Sequence, residues 1–238
     1  MDIDKKEYLE CEKRWVFALL IFVAGFYGAF TYSIRGGVFC NAQTANFVLF
    51  AMELGNQNFA KAFYYLIPMS AYILGAIFSE ALPNPIKRMR IIRWDTILIV
   101  LEIVVVALLG FLPESAPFQI SQIAINFICS MQYNTFRQAQ GIPSATTFCT
   151  NHVRQIGVWI VKAFKNRKDK TYTKMLSHHI IMILCFILGG LISTILCNAF
   201  KGKAIWFALI PLGVLFLDFL YADLKKERSH FSDKPHGH

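Results

Sequence analysis

The residues with the most chemistry to offer lie where apolar sequence breaks off. Arg35 is followed by Gly36 and Gly37, and then by Asn41, Gln43, Thr44 and Asn46, hydrogen-bonding side chains that hydrocarbon does not tolerate exposed. A helix interrupted at membrane depth must be buried in protein or line a cavity, so these groups are candidate ligands for a small polar solute. A second set comprises Arg137, Thr147, Thr150 and Asn151. There Thr147, Thr150, Asn151 and Arg154 fall at i, i+3, i+4 and i+7, which predicts one polar helical stripe opposite Phe148, Ile156 and Trp159. Arg35 and Arg137 suit either contact with an anion or a place at the membrane boundary. Glu102 stands among Ile, Leu and Val on both sides, and an ionisable group there is costly enough to be a functional candidate by default. Its two readings are a proton carrier and a structural partner for Arg35, Arg137 or another helix. His152 reads as a hydrogen-bonded structural histidine or a pH-sensitive gate.

The surrounding elements explain why such residues are worth singling out. In 238 residues, 55% are hydrophobic, 22 are Phe, and mean hydropathy is +0.45, too apolar for the surface of an ordinary soluble domain. Apolar runs at 15–34, 62–82, 94–112, 117–136, 176–198 and 204–221 are each suited to crossing roughly 30 Å of hydrocarbon as a helix. The stretches 42–55 and 145–164 are ambiguous. The first run shows no small-residue cleavage site and reads as an uncleaved span.

Charge settles the arrangement. The net charge of +9 comes from short Lys and Arg clusters between apolar runs, a membrane-topology pattern and not a nucleic-acid-binding face. Lys5, Lys6, Lys13 and Arg14; Lys87, Arg88, Arg90 and Arg93; Lys162 to Lys174; and Lys225, Lys226 and Arg228 form four clusters that belong in the cytoplasm. The alternate connections hold only Lys61, Lys201 and Lys203. Six spans with both termini inside satisfy this, with each ambiguous stretch entering and leaving on one side.

The two halves also echo each other. Asn41-Ala42-Gln43-Thr44 lies six residues after Arg35, and Ser144-Ala145-Thr146-Thr147 seven after Arg137, each predicting a helix N-cap after a flexible run. Ala71, Gly75 and Ser79 repeat as Gly189, Ser193 and Cys197, a small-residue spacing that lets membrane helices pack closely and copies of the chain pair. The expected fold is therefore an all-α membrane protein of six transmembrane helices in two inverted three-helix repeats, each with a broken or re-entrant half-helix. Its segments are a cytoplasmic tail (1–14), a first repeat (15–113), a second repeat (114–222) and a cytoplasmic tail (223–238).

The run Gly-Phe-Tyr-Gly-Ala-Phe-Thr-Tyr with Arg35-Gly36-Gly37-Val38-Phe39, then Asn41-Ala42-Gln43-Thr44 and Asn46, followed by Leu-Ile-Pro-Met and Leu74-Gly75, closely resembles the YoaK family. Thr150-Asn151-His152 is similar to that family's second motif but has Asn and His where Gly and Asn are usual. The resemblance implies a bacterial, polytopic inner-membrane protein and supplies no substrate.

For function the expectation is secondary transport, or passive passage, of a small solute. Half-helices opening near Asn41 and Ser144 would aim unpaired N–H groups at one central zone, favouring an anionic or neutral polar solute. No phosphate loop, His-Glu-x-x-His or nucleophile elbow is present, so no enzyme, cofactor, metal or catalytic residue is expected. The six cysteines show no C-x-x-C pair and read as packing residues. A structural or signalling membrane protein is the rival, though packing alone does not require two polar breaks.

Overall fold

The computed structural model describes residues 8–41, 43–83 and 92–227. Ala42, Lys5, Lys6, Lys87, Arg88, Arg90 and Arg228, each part of an expectation above, lie outside the described residues. The regular structure of the described chain is helical apart from one small hairpin. Its helices are α1 (Arg14–Ile34), α2 (Gln43–Gly55), α3 (Phe59–Ala81), α4 (Trp94–Leu109), α5 (Phe118–Thr135), α6 (Thr150–Lys165), α7 (Lys170–Phe200) and α8 (Leu209–Tyr221). Arg14–Ile34, Phe59–Ala81 and the helical run Lys170–Lys226 are long and apolar enough to cross a membrane. The last of these changes direction at Lys201, whose φ of 51° ends α7 before the 3-10 segment Lys201–Ala208 leads into α8.

Local chemistry accounts for the ends. Helix α1 is a single apolar run, and it stops where Gly36 (φ 84°) and Gly37 (φ 71°) take left-handed backbone that side chains resist. Helix α2 ends in a turn at Gln57, where Glu53 accepts from Asn58 Nδ2 (2.9 Å) and pairs with Lys61 (2.5 Å). Asp169 caps α7 by accepting from the Thr171 N–H at 2.9 Å.

Packing follows small residues. Helices α1 and α7 lie side by side in the same direction, with Arg14 near His178 and Arg35 near Cys197. They touch so closely that a Cβ on Gly189 would sit 2.0 Å from the Phe22 carbonyl oxygen, and one on Gly25 2.1 Å from that of Phe186. Helices α3 and α5 pair in the same way: a Cβ on Gly75 would lie 2.3 Å from the Phe127 carbonyl oxygen. Helix α1 runs opposite to α5, since Gln122 meets Arg35 while Gln132 meets Leu20. Helix α2 packs on α3, α6 on α7, and α4 on α8, where Gly110 makes room for Trp206.

The interior is apolar around Phe17, Leu20, Phe26, Leu98, Ile99, Ile128 and Leu215. Large apolar side chains also face outward along whole helices, among them Ile73 and Ile77 on α3, Leu184, Leu191 and Ile195 on α7, and Ile210 and Leu217 on α8.

Two expectations need correction. The second broken helix begins at Thr150, not near Ser144, because residues 138–143 form a hairpin pairing Gln138 with Pro143 and Ala139 with Ile142. Gln140 (φ 50°) and Gly141 (φ 76°) give its two-residue turn the positive backbone angles that suit a tight hairpin, so this run is ordered structure. The described parts of the two terminal segments pack together: Glu10, Cys11, Glu12, Asp223 and Glu227 are buried, and Glu10 joins Lys13 (2.5 Å) and Lys226 (2.6 Å).

Candidate functional site

In the first break, the chain leaving α1 is held open by side-chain amides. Gln122 Nε2 of α5 donates to the Arg35 carbonyl at 2.6 Å, and Asn41 Nδ2 donates to the Ala24 carbonyl at 2.9 Å, halfway along α1. Asn41 therefore docks on its neighbour α1. Asn46 reads both backbone groups of Phe39, donating to its carbonyl (2.7 Å) and accepting from its N–H (3.3 Å). Gln43 Nε2 donates to Asn126 Oδ1 at 2.7 Å, Asn126 Nδ2 to the Gln122 carbonyl at 2.8 Å, and the Tyr64 hydroxyl to Gln122 Oε1 at 2.7 Å. The amides of Asn41, Gln43 and Asn46 are thus engaged with the fold itself, while Thr44 is exposed on the other face of α2. Arg35 is only 2% exposed, yet its Nε and Nη2 have no hydrogen-bond partner; Phe30 lies under its guanidinium, and Glu114 is the carboxylate that acts on it.

The second break is built differently. Ser144 N–H donates to the Arg137 carbonyl at 3.0 Å, closing the hairpin, and residues 144–149 run inward as loop. Gln132 Nε2 meets the carbonyls of Thr146 (3.2 Å) and Leu20 (3.4 Å), tying this loop to α5 and α1 together. Thr147 precedes α6, so it does not share the helical stripe expected for it; it is fully buried, with its hydroxyl unpartnered and facing Tyr72. Thr150 is exposed, and Asn151 accepts from Arg154 Nη2 at 3.1 Å. Arg137 sits at the surface, bonded to the Asn134 carbonyl (2.7 Å) and Asn134 Oδ1 (2.6 Å) and 3.4 Å from Glu80. With Asn134, Ser144 and Asn151 it lines a cleft of about 410 Å³.

The two breaks meet on the inner faces of α1, α3 and α5. Tyr72 of α3 contacts Thr147 of the second break and stands beside Cys40 of the first and Cys129 of α5. Tyr27 of α1 stands beside the same two cysteines and faces the Glu102 carboxyl. Glu102 is fully buried with neither oxygen in a well-formed hydrogen bond, and it pairs with neither Arg35 nor Arg137.

A third group was not apparent from the residues alone. His178 and His179 are buried beside His152, with ring centroids 5.1 Å apart for His152–His179 and for His178–His179. His152 Nε2 lies 2.8 Å from the Ala145 carbonyl, its Nδ1 lies 2.9 Å from His179 Nδ1, and His178 Nε2 lies 2.7 Å from Ser144 Oγ. Two adjacent histidines at the start of an apolar run were the signal available in the sequence. Among the described residues, no three His, Cys, Asp or Glu side chains are arranged to hold a metal ion.

At the end of the molecule that carries this trio, Arg93 joins Asp95 (3.5 Å) and Glu227 (3.4 Å), and Asp223 accepts from the Arg93 N–H (3.0 Å) and the Thr96 hydroxyl (2.7 Å). The start of α4 is thereby fastened to the chain beyond α8.

No curated protein and no solved structure matches the chain. A family model described as "Protein of unknown function (DUF1275)" matches residues 16–217, a stretch that takes in both breaks, Glu102 and all three histidines. The match covers most of the chain from α1 through α8, and the protein accordingly belongs to the DUF1275 family.

Proposed function

We propose that this chain is an integral membrane protein of six crossing helices, arranged as two inverted repeats, that passes a small anionic or neutral polar solute across the bacterial inner membrane. Exchange of α1 to α4 with α5 to α8 supports the repeat: α1 on α7 becomes α5 on α3, α2 on α3 becomes α6 on α7, and α4 on α8 maps onto itself. Gly75 and Gly189 correspond, each resting on a phenylalanine carbonyl of its partner helix. The opposite running of α1 and α5 supports the inversion. Outward-facing Ile and Leu on α3, α7 and α8 suit lipid, and the resemblance to the YoaK family agrees.

The observation that carries transport is the meeting of two helix breaks at Tyr72. Broken segments from two related halves, converging inside a bundle, are the construction that alternating-access carriers use. The amides of Asn41, Gln43 and Asn46 hold the first break in shape, and the groups free to meet a solute are Thr147, Tyr72, Tyr27 and Glu102. Arg137, at the cleft, draws anions toward one mouth, and the buried Arg35, at the opposite end, is a counter-charge. Asn151 lines the cleft, with Thr150 exposed beside it, while Thr44 faces away from the break. No nucleotide-binding motif is present, so flux follows a gradient.

The rival reading, a structural or signalling membrane protein, is favoured by the mutual hydrogen bonding of those amides. Flux into proteoliposomes separates the two. Thr147→Val and Tyr72→Phe should cut uptake of small organic anions or polar neutral solutes at least tenfold while the protein stays folded. Robust cation flux insensitive to Asn41→Ala and Thr147→Ala would show that the breaks are not the site.

A further inference from the structure

Helices α6 and α7 continue past the start of α1. Gly25 lies against Phe186, Phe22 against Gly189, and Arg14 near His178, so α1 begins level with His178. The part of α7 before that level, residues 170–177, reaches about 12 Å further. Helix α6 lies alongside in the opposite direction, with His152 beside His179 and Trp159 beside Tyr172 at ring-centroid separations of 5.1 and 6.0 Å. The end of α6, the start of α7 and the turn between them therefore form a projecting hairpin.

Its charge is unlike that of the rest of this end. Lys13, Arg93, Arg137 and Lys226 each meet a carboxylate. The turn from 162 to 170 instead holds five exposed cations, Lys162, Lys165, Arg167, Lys168 and Lys170, and one acid, Asp169. Asp169 accepts from the Thr171 N–H, and among the described residues none of the five cations is in an ion pair. Keeping positive charge on one side of a membrane does not require that it stay unpaired.

Apolar side chains are exposed among these charges. His152, Gln155, Ile156, Trp159 and Ala163, at i, i+3, i+4, i+7 and i+11, turn α6 inward, which leaves Val153, Ile160, Val161 and Phe164 outside, the last of them 70% exposed. Lys162 Nζ lies 4.4 Å from the centre of the Trp159 ring, and the Arg167 guanidinium 4.6 Å from that of Phe164. A long basic side chain laid along an aromatic face, with its charge beyond, is the posture adopted where hydrocarbon gives way to headgroups. Water satisfies the cations and not the apolar strip, and an acidic peptide matches the charge but has no acyl chain to lay along α6. A lipid with an anionic headgroup does both.

We propose that residues 153–170 form a binding site for anionic lipid of the cytoplasmic leaflet. Headgroup phosphates sit among Lys162, Lys165, Arg167, Lys168 and Lys170, and acyl chains lie along Val153, Ile160, Val161 and Phe164. Asn151, at the other end of α6, lines the 410 Å³ cleft, so a lipid that steadies the tip also steadies one wall of the cleft. The site rests on the membrane reading and not on transport.

Photoactivatable phosphatidylglycerol and phosphatidylcholine, each with the reactive group on its acyl chain, test this on the full chain in phosphatidylcholine nanodiscs, with adducts mapped by mass spectrometry. Each cation near an anionic headgroup strengthens binding roughly fivefold, so adducts on residues 153–164 should favour phosphatidylglycerol by roughly tenfold or more. Rising salt should release them from the unmodified protein, and Lys165→Gln, Arg167→Gln and Lys168→Gln combined should abolish the preference. Lys203→Gln with Lys225→Gln, which removes positive charge elsewhere, should leave it intact. Equal labelling by the two lipids, or a preference unchanged in the triple variant, would overturn the site. Displacement of the lipid by glycerol 3-phosphate would make it a free-phosphate site, and displacement by equimolar polyglutamate would give the face to an acidic protein; either result overturns the lipid assignment. A chain that fails to enter nanodiscs would overturn the membrane reading itself, whereas lipid preference without solute flux would support the site and overturn only transport.

Discussion

Asn46 and Glu102 are both fully buried, and they differ in what the fold does for them. Asn46 spends donor and acceptor on Phe39 and so holds extended backbone where no ladder or helix can satisfy it. Among the described residues, Glu102 has the Tyr27 hydroxyl facing it and no cation that neutralises a charge. Replacement by the neutral isostere should then leave the bundle intact: Glu102→Gln is expected to melt within about 1 kcal/mol of the parent, while losing gradient-driven uptake and keeping solute exchange. Loss of folded protein would make the carboxyl structural, and unchanged pH dependence of uptake would remove it from coupling. At the charged end a different carboxyl sets acid stability. Burial pushes the Glu10 carboxyl up, but the hydrogen bonds from Lys13 and Lys226 outweigh it and leave it below its ordinary value of 4.5. A depressed carboxylate stabilises the fold above its unfolded value, and that contribution is lost as pH falls through the folded one. Glu10→Gln should therefore cost about 1 kcal/mol at neutral pH, modest because Lys226 is half exposed, with the difference shrinking as pH falls below 4.5 and vanishing once the folded carboxyl is protonated. Melting curves of both forms across that range check it; a pH-independent gap would exclude the pair as its cause. Asp223, pushed up by burial, contributes in the opposite sense in both forms and cancels from the comparison, whereas Glu227, pushed up by burial and by the Glu10 charge as well, is relieved in part by the substitution.

Among the elements, the tightest junctions are those where α7 meets α1 and α3 meets α5. With carbonyl oxygens 2.0 and 2.3 Å from the place a Cβ would take, Gly189→Val and Gly75→Val must push backbone apart, since no side-chain rotation clears a main-chain atom. Each should cost about 3 kcal/mol or more of stability, visible as lost folded yield in detergent, while Gly213→Ala, with nothing within 4 Å, should be neutral or stabilising. Equal behaviour of Gly189→Ala and Gly213→Ala would mean that the helices are not held at this separation. The small-residue spacing of both junctions was plain in the sequence, as were the places of the long helices, because apolar runs and glycine positions are local properties. The start of α6 was not. Ser144 has the chemistry of an N-cap, but its hydroxyl is taken by the Ile142 carbonyl and by His178, a residue far away in the chain. The hydrogen-bond partners of the first break were not legible for a related reason. Asn41, Gln43 and Asn46 are polar in any reading, but whether they await a solute or satisfy Ala24, Asn126 and Phe39 depends on which helices stand opposite.

At the scale of the molecule, charge and packing meet in one testable arrangement. Asn134 and Arg137 meet Glu80, Thr135 meets Trp94, Thr96 meets Asp223, and Arg14 lies near His178, so the ends of α3, α5 and α8 gather with the starts of α1, α4 and α7. Lys13, Arg93, Arg137 and Lys226 are all brought to that end. On the proposed membrane reading, positive residues are retained on the cytoplasmic side, so the trio of histidines and the cleft are expected inside and the turn at Asn58 outside. Between Asn58 and Arg167 lie α3, α4, α5 and α6, so the side on which each of these two exposed residues appears counts the crossings between them. If α6 dips into the bundle and returns, three crossings separate them and they face opposite compartments. If α6 crosses outright, the number is four and they face the same one. The native cysteines are at least half-buried, so an impermeant thiol reagent reports chiefly on an introduced residue. Asn58→Cys should be labelled in intact cells, and Arg167→Cys only after the membrane is opened. Labelling of both from outside would give α6 a full crossing and dissolve the inverted repeat, and Asn58→Cys reacting only from within would turn the whole bundle over and put the histidine trio on the outer face.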